Sequence, residues 1–157
     1  MKRIFAIAAA LMLCGVASAQ NRWAIQPDGK TIRMEVSKEK LPHSDHVEMS
    51  GKMMATVLYW GVDEQARFSV DRSLVFPMLR TVPNNTHASL MIRQGLDVVS
   101  QLRINNNNRL FFRTKYVELN GLMRVVEEHR ASTYGLEVER VIFPTMEQQM
   151  MCEHYVL

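Results

Sequence analysis

The sequence predicts an all-β fold, an antiparallel β-sandwich, and three observations carry that prediction. Short stretches alternate apolar with polar residues, the period-two pattern of half-buried strands. Turn signals separate these stretches at a spacing of roughly 8–12 residues, as in sandwiches and barrels. Helical periodicity is poor: only residues 94–102 offer a candidate, and the β-branched Val98-Val99 pair favours a strand there.

Taken in order, Pro27-Asp28-Gly29 marks a turn, and Ile32, Met34 and Val36 then alternate with Thr31, Arg33 and Glu35. Residues 37–46 are polar, contain Pro42 and read as a loop. Residues 53–62 form a nearly continuous apolar run, which suits a central strand covered on both faces. Residues 67–75 alternate again, with Phe68 and Val70 set against Ser69 and Asp71. Pro77 and Pro83 exclude a long helix between them, Asn84-Asn85 reads as a turn, and residues 87–93 form a short strand. Residues 97–104 read as a strand leading into the asparagine run 105–108, a hairpin turn with its return strand over 110–119. Asn120-Gly121 is the strongest hairpin signal and joins that strand to Leu122-Met123-Arg124-Val125-Val126. Residues 136–143 follow, with Leu136, Val138 and Arg140 on one face, and residues 147–157 form a last strand. Methionine fills irregular gaps in cores, and the pairs Met53-Met54 and Met150-Met151 each turn one side chain outward.

Residues 1–19 have the order of a cleavable secretory signal: Lys2 and Arg3, an apolar run from Ile4 to Val16, then Ala17-Ser18-Ala19. The run is shorter than the ~18 apolar residues that span a bilayer. Leu13 and Met12 before Cys14 do not suit a lipobox. The expected mature chain, residues 20–157, is therefore periplasmic or extracellular and has no membrane partner after cleavage. Two of the 19 basic residues and none of the 16 acidic ones lie in the signal, so the net charge of +3 falls to about +1. Without a basic block there is no footprint for nucleic acid. Cys152, the one cysteine left, cannot make an internal disulfide, so stability rests on the core. The chain stops in an apolar, strand-like run, His154-Tyr155-Val156-Leu157, from which the expectation is that the sandwich is incomplete and belongs to a longer protein.

Several clusters could bear chemistry, and each has a plainer reading. His43, Asp45, His46 and Glu48 are potential metal ligands, but an extended backbone puts Asp45 and Glu48 on opposite faces, so at most two converge. A metal-dependent enzyme would have to be built there. No G-x-S-x-G elbow and no glycine-rich phosphate loop is present. Cys152 and His154 share a strand face without an evident orienting group, so a structural cysteine is the better reading. No catalytic, cofactor-binding or metal-ligating residue is assigned, and no cofactor is expected. Tyr59-Trp60 must point to opposite faces of a strand, so at least one ring belongs to the core, while exposed rings such as Trp60 or Trp23 could lie under a sugar.

Two stretches carry a family resemblance. Ser44-Asp45-His46-Val47-Glu48-Met49-Ser50-Gly51 is the first, and the longer run from Arg72-Ser73-Leu74-Val75-Phe76-Pro77 through Asn84-Asn85-Thr86-His87-Ala88-Ser89-Leu90 is the second. They resemble the start of exported six-hairpin glycosidase-like proteins, the group that includes α-L-rhamnosidase-like enzymes. The resemblance covers roughly residues 30–157 and implies an N-terminal β-sandwich placed before a large helical barrel. The acid and base of such enzymes sit in the barrel, for which this chain has no room. The implied function is a non-catalytic sandwich of an exported glycoside hydrolase, with carbohydrate as partner through the barrel or its junction. The alternative is a stand-alone exported module that binds carbohydrate or protein.

Overall fold

The computed structural model describes residues 22–77, 89–105 and 108–157. The proposed signal, the Asn84-Asn85 turn and part of the second resembling stretch lie outside the described residues. Two antiparallel sheets face one another, so the expected all-β sandwich is the observed fold. One sheet has six strands in the order β1 (Ala24–Ile25), β2 (Ile32–Glu35), β9 (Arg113–Leu119), β10 (Met123–Arg130), β11 (Gly135–Pro144) and β12 (Met151–Val156). The other is a meander of β3 (His43–Ser50), β4 (Ala55–Val62), β5 (Phe68–Pro77) and β6 (Ser89–Gln94). A small arm, β7 (Arg103–Ile104) paired with β8 (Asn108–Arg109), links the sheets. The chain thus leaves the first sheet after β2, completes the second, and returns to pair β9 with β2.

Alternation decides which side chains meet between the sheets. Met34, Val117, Met123, Val125 and Ile142 from the six-stranded sheet pack against Met49, Leu58, Trp60, Val62, Phe68 and Val70 of the other. On the outer face of the six-stranded sheet, Arg33 and Arg124 pair with Glu118, and Arg124 also pairs with Glu139. A second, smaller core of Val99, Leu110, Phe112 and Val138 lies under the arm. Two turns follow the expected chemistry. The Asp28 carboxylate accepts from the backbone N–H groups of Lys30 and Thr31, and Gly29 and Gly121 take the left-handed φ that their turns require.

Three expectations need correction. Residues 97–104 are not a strand: Val99–Gln101 form a 3-10 turn and only Arg103–Ile104 extend. Here Val99 is buried by turning inward rather than by alternation, and its packing overrides β-propensity. The loop expected over 37–46 is shorter, since β3 already begins at His43. Finally, β4 is central but not covered on both faces: Tyr59 stands 47% exposed on its outer side, whereas Trp60 is 3% exposed. The apolar run reflected a well-packed inner face and a partly wet outer one.

Candidate functional site

The strongest site lies at one end of the sandwich, where four segments meet around a cavity of about 270 Å³. The β4–β5 turn contributes Asp63 and Arg67, the start of β5 contributes Phe68 and Ser69, and the 3-10 turn contributes Val99 and Ser100 with Asp97 before it. The chain after β8 contributes Leu110, Phe111 and Phe112, and β10 contributes Glu127. Phe111 is 59% exposed. The β4–β5 turn is held by Asp63, whose carboxylate accepts from the N–H groups of Gln65 and Arg67 and from Arg67 Nε. Thr114 N–H and hydroxyl both donate to the Ala66 carbonyl, which fastens this turn to β9.

The floor of the cavity is charged. Met123, Val125 and Glu127 share the inner face of β10, so the alternation that buries the two apolar side chains also buries Glu127, which is 2% exposed. On the neighbouring strand Arg140 is 0% exposed, and its Nη2 donates to Glu127 Oε2 at 2.9 Å. Its Nη1 lies 3.0 Å from Asp97 Oδ1, at ion-pair distance but out of hydrogen-bond alignment. Among the described residues, Asp97 Oδ1 and Arg140 Nε and Nη1 are consequently buried polar atoms without a hydrogen bond. The guanidinium also lies over the rings of Phe68 and Tyr155, at 5.0 and 5.8 Å from their centroids. A bulge in the β9–β10 ladder, with Lys115 the additional residue, brings Thr114 opposite Glu127. Burial pushes the Glu127 carboxyl up to about 7; Arg140 opposes that rise and Asp97 adds to it.

Next to the floor is a second buried pair. Arg72 of β5 is bound by the Glu153 carboxylate of β12, with Nη2–Oε2 at 2.8 Å, and donates to the carbonyls of Val70 and Leu96. The Tyr155 hydroxyl donates to the same carboxylate, and burial followed by that bond raises its pKa. Arg72 and Glu153 neutralise one another inside the sandwich. The floor group differs, because one guanidinium faces two carboxylates.

The residues weighed from sequence fall elsewhere. His43, Asp45, His46 and Glu48 all lie on β3, whose pleat divides them. The His43 ring stands edge-on to Trp60 at 5.4 Å, and Arg22 Nη1 donates to its Nδ1. Burial, then the charge of Arg22, lowers the His43 pKa. His46 lies beside Tyr59, ring centroids 6.1 Å apart. Among the described residues no group of three His, Cys, Asp or Glu side chains converges to hold a metal. Trp60 is core and offers no open ring, and Trp23 is partly buried against it. Cys152 is half-buried on β12. Glu127 and Asp97 escaped sequence reasoning. Parity with Met123 and Val125 was a signal for Glu127, and the Val138–Arg140 face was a signal for its partner, but nothing local announces that Asp97 meets them.

Compared with protein-family models, curated proteins and solved structures, the chain matches none of them.

Proposed function

We propose that this protein is an exported β-sandwich module that binds carbohydrate without hydrolysing it, and that its ligand occupies the Asp97–Glu127 cavity. The observation that supports this reading is the floor. There the carboxylates of Asp97 and Glu127 line the cavity beside the exposed Phe111 ring. A sugar hydroxyl is a donor, and each of these carboxylates has acceptor positions beyond its contact with Arg140. The exposed Phe111 ring at the wall offers an apolar face to the sugar ring. Hydrolysis is left out of the reading for a geometric reason. Glycosidases set two carboxyl groups across the scissile bond, whereas Asp97 and Glu127 converge on one guanidinium. Export rests on the signal-like residues 1–19.

The test is a titration of the purified protein with neutral monosaccharides, followed by NMR shifts or calorimetry. Saturable binding is expected, weakened by Phe111→Ala, with no release of aglycone from aryl glycosides. Absence of binding across neutral and amino sugars would refute the reading, and turnover would replace it with an enzyme.

One observation favours a second reading, the front sandwich of an exported glycoside hydrolase. Leu90 and Ile92 on one face of β6, Met91 on the other and Leu96 beyond it are exposed at the edge of the four-stranded sheet, and β6 lies where the second resembling stretch ends. Such a surface suits contact with a further domain. Reading the gene beyond the codon for Leu157 decides it: several hundred helix-rich codons in frame would support it, and an immediate stop would remove it.

A further inference from the structure

We infer that the cavity selects a primary ammonium group beside a hydroxyl, the arrangement of an amino sugar, and takes a single ring rather than a chain. The inference rests on the carbohydrate reading and adds the class of sugar.

Charge count comes first. Among the described buried residues of the floor, Arg140 alone is cationic, and it is shared by Asp97 and Glu127. Asp63 and Arg67 at the rim pair with each other and add nothing net. Arg109 is exposed to solvent, where its field is screened. The neighbouring Arg72–Glu153 pair is already balanced. The floor therefore carries one uncompensated negative charge when Glu127 is ionised. Uncompensated charge in a desolvated place is costly and is relieved by a proton or by a cation. Burial holds the proton on Glu127 up to about 7; Arg140 opposes this and Asp97 adds to it.

The demand is also directional. Among the described residues Glu127 receives one hydrogen bond, on Oε2, although a carboxylate has about four acceptor positions. An ammonium on Glu127 would supply charge and donors together, and its neighbouring hydroxyl would donate to the Asp97 carboxylate, which lines the same cavity. A ligand carboxylate would meet two carboxylates and be rejected. The size of the cavity, about 270 Å³, falls just below the ~300–1,000 Å³ of ordinary small-molecule pockets, which leaves space for one ring.

The experiment compares glucosamine, N-acetylglucosamine, glucose, glucuronic acid and ethanolamine by calorimetry on the intact protein. Glucosamine is expected to bind roughly ten-fold more tightly than glucose or N-acetylglucosamine, the scale of one charge-assisted hydrogen bond. Glucuronic acid is expected not to bind. Because ionised Glu127 is the partner, the affinity for ethanolamine, whose amine stays charged, should rise as pH passes upward through about 7. Glu127→Gln should abolish both the preference and the pH dependence. The ligand comparison on the unaltered protein decides the matter if that variant does not fold. Equal binding of glucosamine and glucose overturns the inference and leaves the carbohydrate reading standing. Ethanolamine binding with no sugar bound keeps the ammonium site and removes the carbohydrate reading. No binding by any of the five overturns both.

Discussion

Glu127 shows how one residue can set the pH response of a whole domain. In the unfolded chain its carboxyl titrates near the ordinary 4.5, and in the fold it titrates at about 7, because burial disfavours the carboxylate. The folded state therefore holds a proton that the unfolded state has released between those two values, and stability falls as pH rises through that window. The shift corresponds to roughly 3 kcal/mol at most. Glu127→Gln is expected to flatten stability against pH between 4.5 and 7, as followed by urea unfolding at several pH values. An unchanged slope would place the titration elsewhere. Arg140 answers to the same physics. Removing it leaves two carboxylates facing each other without a cation, so Arg140→Met should cost about 3–5 kcal/mol, the scale found for breaking buried pairs. A loss within ~0.5 kcal/mol, the size of an ordinary surface change, would mean that water reaches the floor freely.

At the scale of elements, β4 divides core from surface with unusual clarity. Trp60 touches Trp23, His43 and Phe68, while its neighbour Tyr59 lies on the outer face. Trp60→Ala is expected to cost about 3–5 kcal/mol, whereas Tyr59→Ala should lower stability by no more than about 1 kcal/mol; parallel thermal melts check both. The β3–β4 turn makes a different demand. A Cβ on Gly51 would lie 2.0 Å from the Thr145 carbonyl oxygen, which is backbone and cannot swing aside. Lys52 N–H donates to the Met146 carbonyl at the same place, tying this turn to the loop between β11 and β12. Gly51→Ala should therefore force the two loops apart and destabilise by well over the ~1 kcal/mol typical of point substitutions. Gly51 needs its missing side chain for this approach, while Gly121 needs left-handed backbone.

The whole molecule is asymmetric in how its sheets end. Outer-face charges cover the six-stranded sheet, but β6 at the edge of the other presents Leu90, Met91 and Ile92 to solvent. An exposed apolar edge strand is a template for association. Concentration-dependent growth of particle size is expected by light scattering, and Ile92→Lys should reduce it. A monodisperse protein at all concentrations would show that the edge is protected.

Much of this architecture was legible along the chain because it depends on neighbours two residues apart. Period-two alternation is a local property of strands, so β2, β5 and β11 could be placed from Met34, Phe68, Val70 and Val138 without knowing their partners, whereas the start of β3 fell in an expected loop and that of β8 in an expected turn. Asn120-Gly121 and Pro27-Asp28-Gly29 likewise dictate turns through their own backbone preferences. The 97–104 segment misled because burial of Val99 there comes from a distant core, not from local alternation. The site was legible only in part. Parity put Glu127 and Arg140 on inner faces, but an inner-face charge has no chemistry until its partners are known. Asp97 reaches them across a separation of 30 or more residues, through a 3-10 turn stabilised by Val99 against Leu110, Phe112 and Val138. The sequence by itself determined the strand pattern and the turns, which are short-range properties. Only the tertiary structure decided that two carboxylates share one buried guanidinium beneath a cavity, because long-range packing brings those charges together and withholds the water that would otherwise screen them.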